Sequence, residues 1–151
     1  MKTLVASIEQ QPFFQGINAQ HLQILSNCAM PTEFAEDQVI FRERDLANRF
    51  YLIEKGKVAL ESRAVDGRLV LVETVGPGDA LGWSWLFPPY TWHFSARAME
   101  KTTALFFYGT RLREACEEDH DLGYELIKRM AEVAIKRLES TRSHALAVHH
   151  S

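Results

Sequence analysis

The chain has 151 residues, enough for one ordinary domain and too few for two, and at this size it buries roughly 68–70% of its unfolded surface, so the core needs no covalent staple. With 46% hydrophobic, 11% aromatic and 25% charged residues it has the composition of a soluble globular protein, which excludes a disordered or collagen-like chain. A net charge of -3 argues against a strong nucleic-acid role, since phosphate binding favours a basic face.

In chain order, the N-terminus "MKTLVASIEQQ" carries one lysine and an apolar stretch soon interrupted by Glu9, so it does not read as a signal peptide. No stretch approaches the ~18–20 apolar residues that span a bilayer, and the chain is expected to be cytoplasmic, without a membrane partner. Residues 1–30 read as an N-terminal helical segment: "LVASIEQQ", a break at "PFFQG", then Asn18 as N-cap of "AQHLQILSNC", which Pro31 ends. Residues 31–108 change to short runs rich in β-branched and aromatic residues, "QVIF", "RFYLIE", "KVALESR", "LVLVETV", "HFSARA" and "TALFFY". Lys55 with Gly56, and Asp66 with Gly67, mark hairpin turns, so neighbouring strands pair. The helical period returns over 109–145, first in "TRLREACEED" and then in a long run from near Asp121, leaving 146–151 as a tail. The expected fold is one mainly-β domain: an antiparallel β-roll of double-stranded β-helix or jelly-roll type, with N-terminal helices and a long C-terminal helix.

In that long helix Ile127, Met130, Ala134 and Leu138 step by three or four residues, a heptad-like seam that predicts a homodimer along the helix. Glu125 with Arg129 and Glu132 with Lys136 are i,i+4 pairs in the favourable order.

The residues offer little chemistry for an enzyme. The two cysteines, Cys28 and Cys116, are far apart and lack CxxC spacing, so they read as free thiols. Six histidines include no HxH or HxxxH pair, and the adjacent His149 and His150 lie at the terminus, so no metal or cofactor is expected. No GxSxG elbow, GxGxxG or Walker A loop is present, which leaves a binding module rather than a catalyst.

"FYLIEKGKVAL", "VGPGDALGW" and "HFSARAME" together resemble the cyclic-nucleotide-binding domain of the catabolite activator and Fnr family, over about residues 12–143. The resemblance rests on Gly56 after "YLIE", the Pro-Gly-Asp at 77–79, Gly82 opening the ligand-cradling helix, and the "SARA" that follows. It implies the fold just described, a cyclic nucleotide or other small ligand, and dimerisation through the C-terminal helix. The family cradle runs Phe-Gly-Glu, a small residue, Leu, then an arginine six residues before the next strand's alanine; the glutamate takes the ribose hydroxyl and the arginine the cyclic phosphate. Here Gly82 and Leu86 match, but Trp83 stands at the glutamate position and Trp92, six before Ala98, at the arginine position. A charge-assisted hydrogen bond contributes roughly 1.5–3 kcal/mol, so cyclic AMP is expected to bind far more weakly here than in the family.

The cradle then offers helix-start amides near Ser84 and Trp85, donors on Thr91 and His93, and indoles for stacking. Thr141 matches a ligand-contacting threonine of the resembled family. Two readings stay open: a pocket retuned toward a flat or apolar ligand, or indoles that fill the vacated space. The matching functions are a small-ligand sensor acting through its dimer or an unknown partner protein, and a ligand-free scaffold; a cupin-type barrel enzyme is a third, more distant reading. DNA-binding relatives carry a winged helix-turn-helix after the long helix, and this chain is expected not to bind DNA with its own domain.

Overall fold

A computed structural model describes residues 4–82 and 89–149, apart from the side chains of residues 141, 143–145 and 147–149 in the last helix. The chain opens with α1 (Leu4–Glu9), a 3-10 turn (Pro12–Phe14) and α2 (Ala19–Ser26). Eight strands follow: β1 (Ala29–Phe34), β2 (Val39–Phe41), β3 (Arg49–Lys55), β4 (Val58–Arg63), β5 (Leu69–Val75), β6 (Ala80–Leu81), β7 (Ser95–Ala98) and β8 (Thr102–Tyr108). Two helices end the described chain, α3 (Gly109–Glu118) and α4 (His120–His149). The strands form two antiparallel four-stranded sheets, ordered β1-β8-β3-β6 and β2-β7-β4-β5, so the expected β-roll with flanking helices is present.

The first sheet is apolar on both faces, because successive strand residues point to opposite sides. Phe50 and Leu52 of β3, with Leu105 and Phe107 of β8, pack against Phe14, Leu25, Leu112, Leu122 and Leu126 of the helical layer. The residues between them, Tyr51, Ile53, Ala104 and Phe106, turn into the roll to meet Phe34, Phe41, Leu60 and Leu81. α2 begins as its sequence predicts, with the Asn18 side chain accepting from the His21 amide at 2.8 Å. Asp119 does the same for α4, accepting from the amides of Asp121 and Leu122, while its other oxygen lies 3.2 Å from Nε2 of the buried His21. Both cysteines are free, and burial pushes the Cys116 thiol up to about 11.

Several expectations need correction. Pro31 does not simply end the helical segment: it sits inside β1, which starts at Ala29, and is tolerated there because β1 is an edge strand on which a missing N–H costs no ladder bond. His93 precedes β7 instead of lying in it, and the expected tail from 146 is helical as far as His149. The ion pair Glu125–Arg129 forms at 3.4 Å, whereas no Glu132–Lys136 pair occurs among the described residues.

The hairpin expected at Lys55 and Gly56 does not form, because Gly56, at φ +108°, passes the chain from β3 in the first sheet to β4 in the second; a Cβ there would lie 2.7 Å from the Thr102 Cα. Backbone strain and a clash with main chain therefore act together. Gly56→Ala is expected to lower the unfolding free energy by about 2 kcal/mol or more, read as a shifted midpoint with unchanged slope in urea denaturation.

Candidate functional site

Strand β6 ends at Leu81, and Gly82 then turns the chain at φ +83°. Trp83, Ser84, Trp85 and Leu86 then lie outside the described residues. The chain is described again from Pro89, and the carbonyl of Tyr90, at φ +57°, accepts from the Ala47 amide at 2.6 Å. Trp92 is held on both sides of its backbone: its N–H donates to Asp45 at 3.0 Å and its carbonyl accepts from Arg44 at 2.8 Å. The Arg113 guanidinium of α3 lies 4.4 Å above the Tyr90 ring.

These bonds turn the Trp92 indole into the roll. It is only 4% exposed and stacks on Phe41 with ring centroids 3.8 Å apart and planes 11° from parallel. Its far edge occupies the space over Gly82: a Cβ on that glycine would come within 2.7 Å of the indole Cη2. Gly82 is thus required twice, by its dihedral and by the ring against it. The surroundings are apolar, with Tyr51, Leu81, Ala96 and Phe106 in the same cluster. Burial pushes the Tyr51 phenol up, only partly opposed by its hydrogen bond with Arg49. Among the described residues Glu61 is the one buried carboxylate, and Arg97 neutralises it at 3.2 Å.

The other expected site residues separate. Thr91 is half-buried beside Trp92 and bridges to Leu46. His93 is exposed and is not gathered with Trp92, Gly82 and Thr91: it lies in the bend before β7, while the neighbouring Trp92 is buried. Thr141 lies in α4, where its side chain is outside the described set.

Two arginines not expected at the site bind α4 to the body. Arg129 donates to the carbonyls of Phe13 at 2.7 Å and Gln15 at 2.9 Å, and Arg137, two turns on, donates to the Ala80 carbonyl and faces the Glu73 carboxylate at 3.7 Å. Burial holds the Arg137 guanidinium below its usual range, with Glu73 and Asp79 opposing that effect. Beside them a cleft of about 470 Å3 runs between α4 and the β5–β6 edge. Their i,i+8 spacing around Val133 was a readable signal, since all three fall on one helix face. The Phe41–Trp92 stack had none: the two residues are remote in sequence and meet only when β2 lies beside the cradle.

Among the described residues no group of three or more His, Cys, Asp or Glu side chains converges as a metal site would. No helix among them is long and apolar enough to cross a membrane.

Residues 31–119, more than half of the chain, match the family model for the cyclic nucleotide-binding domain. The chain belongs to this family. A CRP-like cAMP-activated global transcriptional regulator of Mycobacterium tuberculosis is 28% identical over 130 residues, covering 86% of this chain and 56% of the regulator. The chain thus spans about half the length of the curated relatives it matches. A solved structure from Geobacter metallireducens, described as a cyclic nucleotide-binding protein, superposes with a TM-score of 0.81 at 28% identity, covering 91% of this chain and 99% of that one. The regulatory subunit of a cAMP-independent protein kinase A from Trypanosoma brucei shares the fold at TM-score 0.76 and 23% identity, over 95% of this chain and 50% of the subunit. Its Trypanosoma cruzi counterpart, solved bound to guanosine, does so at 0.70 and 20% identity, over 85% and 44%.

Trp92→Ala removes a stacked, buried indole that the rigid turn at Gly82 cannot collapse onto. It is expected to cost about 3–5 kcal/mol, measured by chemical denaturation.

Proposed function

We propose that this protein is a regulatory domain of the cyclic nucleotide-binding family that does not take cyclic AMP in the family's manner and that acts through a homodimer built on α4. The observation that carries this is the Trp92 indole, buried against Phe41 at the position where the resembled family places its phosphate-binding arginine. A cyclic phosphate leaving water needs a cation or a converging set of amides, and the cluster around Trp92 is apolar. The ligand class that fits such a cradle is flat and uncharged, stacking on Trp83, Trp85 or Trp92 and hydrogen-bonding to Thr91 or to backbone near Ser84. The guanosine-bound structure of a cAMP-independent relative supports that class.

A second reading, a ligand-free scaffold, is favoured by the packing of Trp92 itself, which leaves its own ring little free surface. In both readings the output is protein assembly, with an unidentified partner downstream and no catalytic step; the family match replaces the cupin-type alternative. Calorimetry is expected to detect no low-micromolar binding of cyclic AMP or cyclic GMP, and such binding would overturn the proposal. In a thermal-shift panel a ligand at 100 times its Kd adds ~2.7 kcal/mol of stability, so stabilisation by guanosine or adenosine selects the sensor and a flat panel the scaffold.

Support for the dimer lies in a second apolar stripe on α4. Leu122, Leu126 and Met130 face the protein's own core, while Tyr124, Ile127, Ala134, Ile135 and Leu138 are exposed. Met130, only 6% exposed, therefore does not belong to the seam in which the heptad count placed it; a three-residue step from Ile127 carried the count onto the packed face. Light scattering is expected to give a dimer for the wild type and a folded monomer for Leu138→Glu. Met130→Glu instead buries a charge in the core and is expected to lower stability by several kcal/mol whatever the assembly state.

A further inference from the structure

Residues 42–47 and 89–92 meet at one rim of the roll and hold up side chains that the protomer does not use. Arg44 and Tyr90 both sit at positive φ, +75° and +57°, a backbone region that side chains of this size adopt only where their surroundings fix them. Three backbone bonds do so: Arg44 donates to the Trp92 carbonyl at 2.8 Å, Trp92 to Asp45 at 3.0 Å and Ala47 to Tyr90 at 2.6 Å. Leu46, between these contacts, bridges to Thr91 through its backbone and is 67% exposed. An apolar side chain is thus displayed on a strained but firmly bonded loop.

The same rim is basic and not neutralised. Arg42 and Arg44 are exposed, Arg113 reaches the rim from α3, and none of the three enters an ion pair among the described residues. Of the acids in the two segments, Glu43 is spent on the Ser62 hydroxyl and the Arg63 amide, which leaves Asp45. The adjoining residues 83–88 read Trp-Ser-Trp-Leu-Phe-Pro and hold no carboxylate. Arg113 is positioned by the Tyr90 ring, 4.4 Å from its guanidinium carbon. A ring attracts a guanidinium without accepting its N–H bonds in the way a carboxylate does, so the fork of terminal donors stays available.

We infer that this rim docks a short acidic segment of a partner protein, with an apolar side chain of the segment set on Leu46 and Tyr90 and its carboxylates taken by Arg44 and Arg113. The inference gives a chemistry to the partner in the function proposed above, and rests on that reading only in assigning the output to a protein. Charge complementarity selects the occupant. Guanidinium groups fork onto carboxylates, and a short segment senses only the cations within a Debye length of about 8 Å. A nucleic acid carries charge far beyond the rim and meets the whole chain, whose net charge of -3 opposes it.

The test is fluorescence anisotropy on the full chain with three dye-labelled probes: a peptide of alternating glutamate and leucine, its lysine–leucine counterpart, and a DNA duplex of random sequence. The variants are Arg44→Gln with Arg113→Gln, the exposed Leu46→Ser, and Arg68→Gln as a control remote from the rim, each verified by circular dichroism and a thermal melt. The expected result is binding of the glutamate peptide that weakens as salt is raised, a loss of at least tenfold in the double arginine variant, a smaller loss in Leu46→Ser, and none in the control. No binding of that peptide, equal binding of the lysine peptide, or wild-type affinity in both rim variants overturns the inference. A duplex bound more tightly than the peptide and released by the arginine variant also overturns it, in favour of a nucleic-acid surface. The monomeric Leu138→Glu variant is expected to bind the peptide as the wild type does, so failure of the proposed dimer, or tight binding of cyclic AMP, leaves this result standing and is read separately from it.

Discussion

The rest of the structure depends on one wall buried on both faces, the pairing of β3 with β8. Phe50, Leu52, Leu105 and Phe107 on one side fix the helical layer, and Tyr51, Ile53, Ala104 and Phe106 on the other side line the roll. At about 25 cal/mol per Å2 of apolar surface, a strand apolar on both faces contributes about twice what a half-exposed one does, and it couples the two cores mechanically. A helix displaced from Phe107 disturbs the strand whose next residues hold the cradle side of the roll. The same wall explains why α4 has a packed face and a more open one: the wall and α3 cover Leu122, Leu126 and Met130, whereas Ile127 and Leu138 remain exposed among the described residues.

On the proposed correspondence of Trp92 with the family's arginine, the exchange of a cation for an indole is a change of physical regime. An arginine at the mouth of the roll holds its place by charge and needs an anion to justify its desolvation. Trp92 holds its place by area and stacking on Phe41, and is satisfied without any ligand. The cradle side becomes part of the core: Gly82 is shaped around the ring, and three backbone bonds from the 44–47 loop to Tyr90 and Trp92 fix its direction.

The sequence made the roll legible where its signals are local. The β-branched runs on either side of Gly67 placed the β4–β5 hairpin, and Asn18 placed the start of α2, whereas the turn at Gly56 carries a hairpin signal and instead crosses between the sheets. What escaped depends on partners distant in the chain. β1 was hidden by Pro31, whose breaker signal is cancelled only by an edge position that no local pattern reveals. The α4 seam was read with one residue from the wrong face, because spacing gives a stripe but not the direction of the core. At the site, the resemblance alone implies that Trp83 and Trp92 stand in place of the family's charged contacts. The Phe41 stack that fills the space, and the exposure of His93, required the fold.

The Arg137 strap has a further consequence. It grips the carbonyl of Ala80, a main-chain atom present whatever the side chain, two residues before Gly82. The contact between β6 and α4 thus does not depend on which side chains line the cradle, since a main-chain carbonyl makes it. A lineage could exchange one input for another, or discard the input altogether, while the transmission passed unchanged from ancestor to descendant.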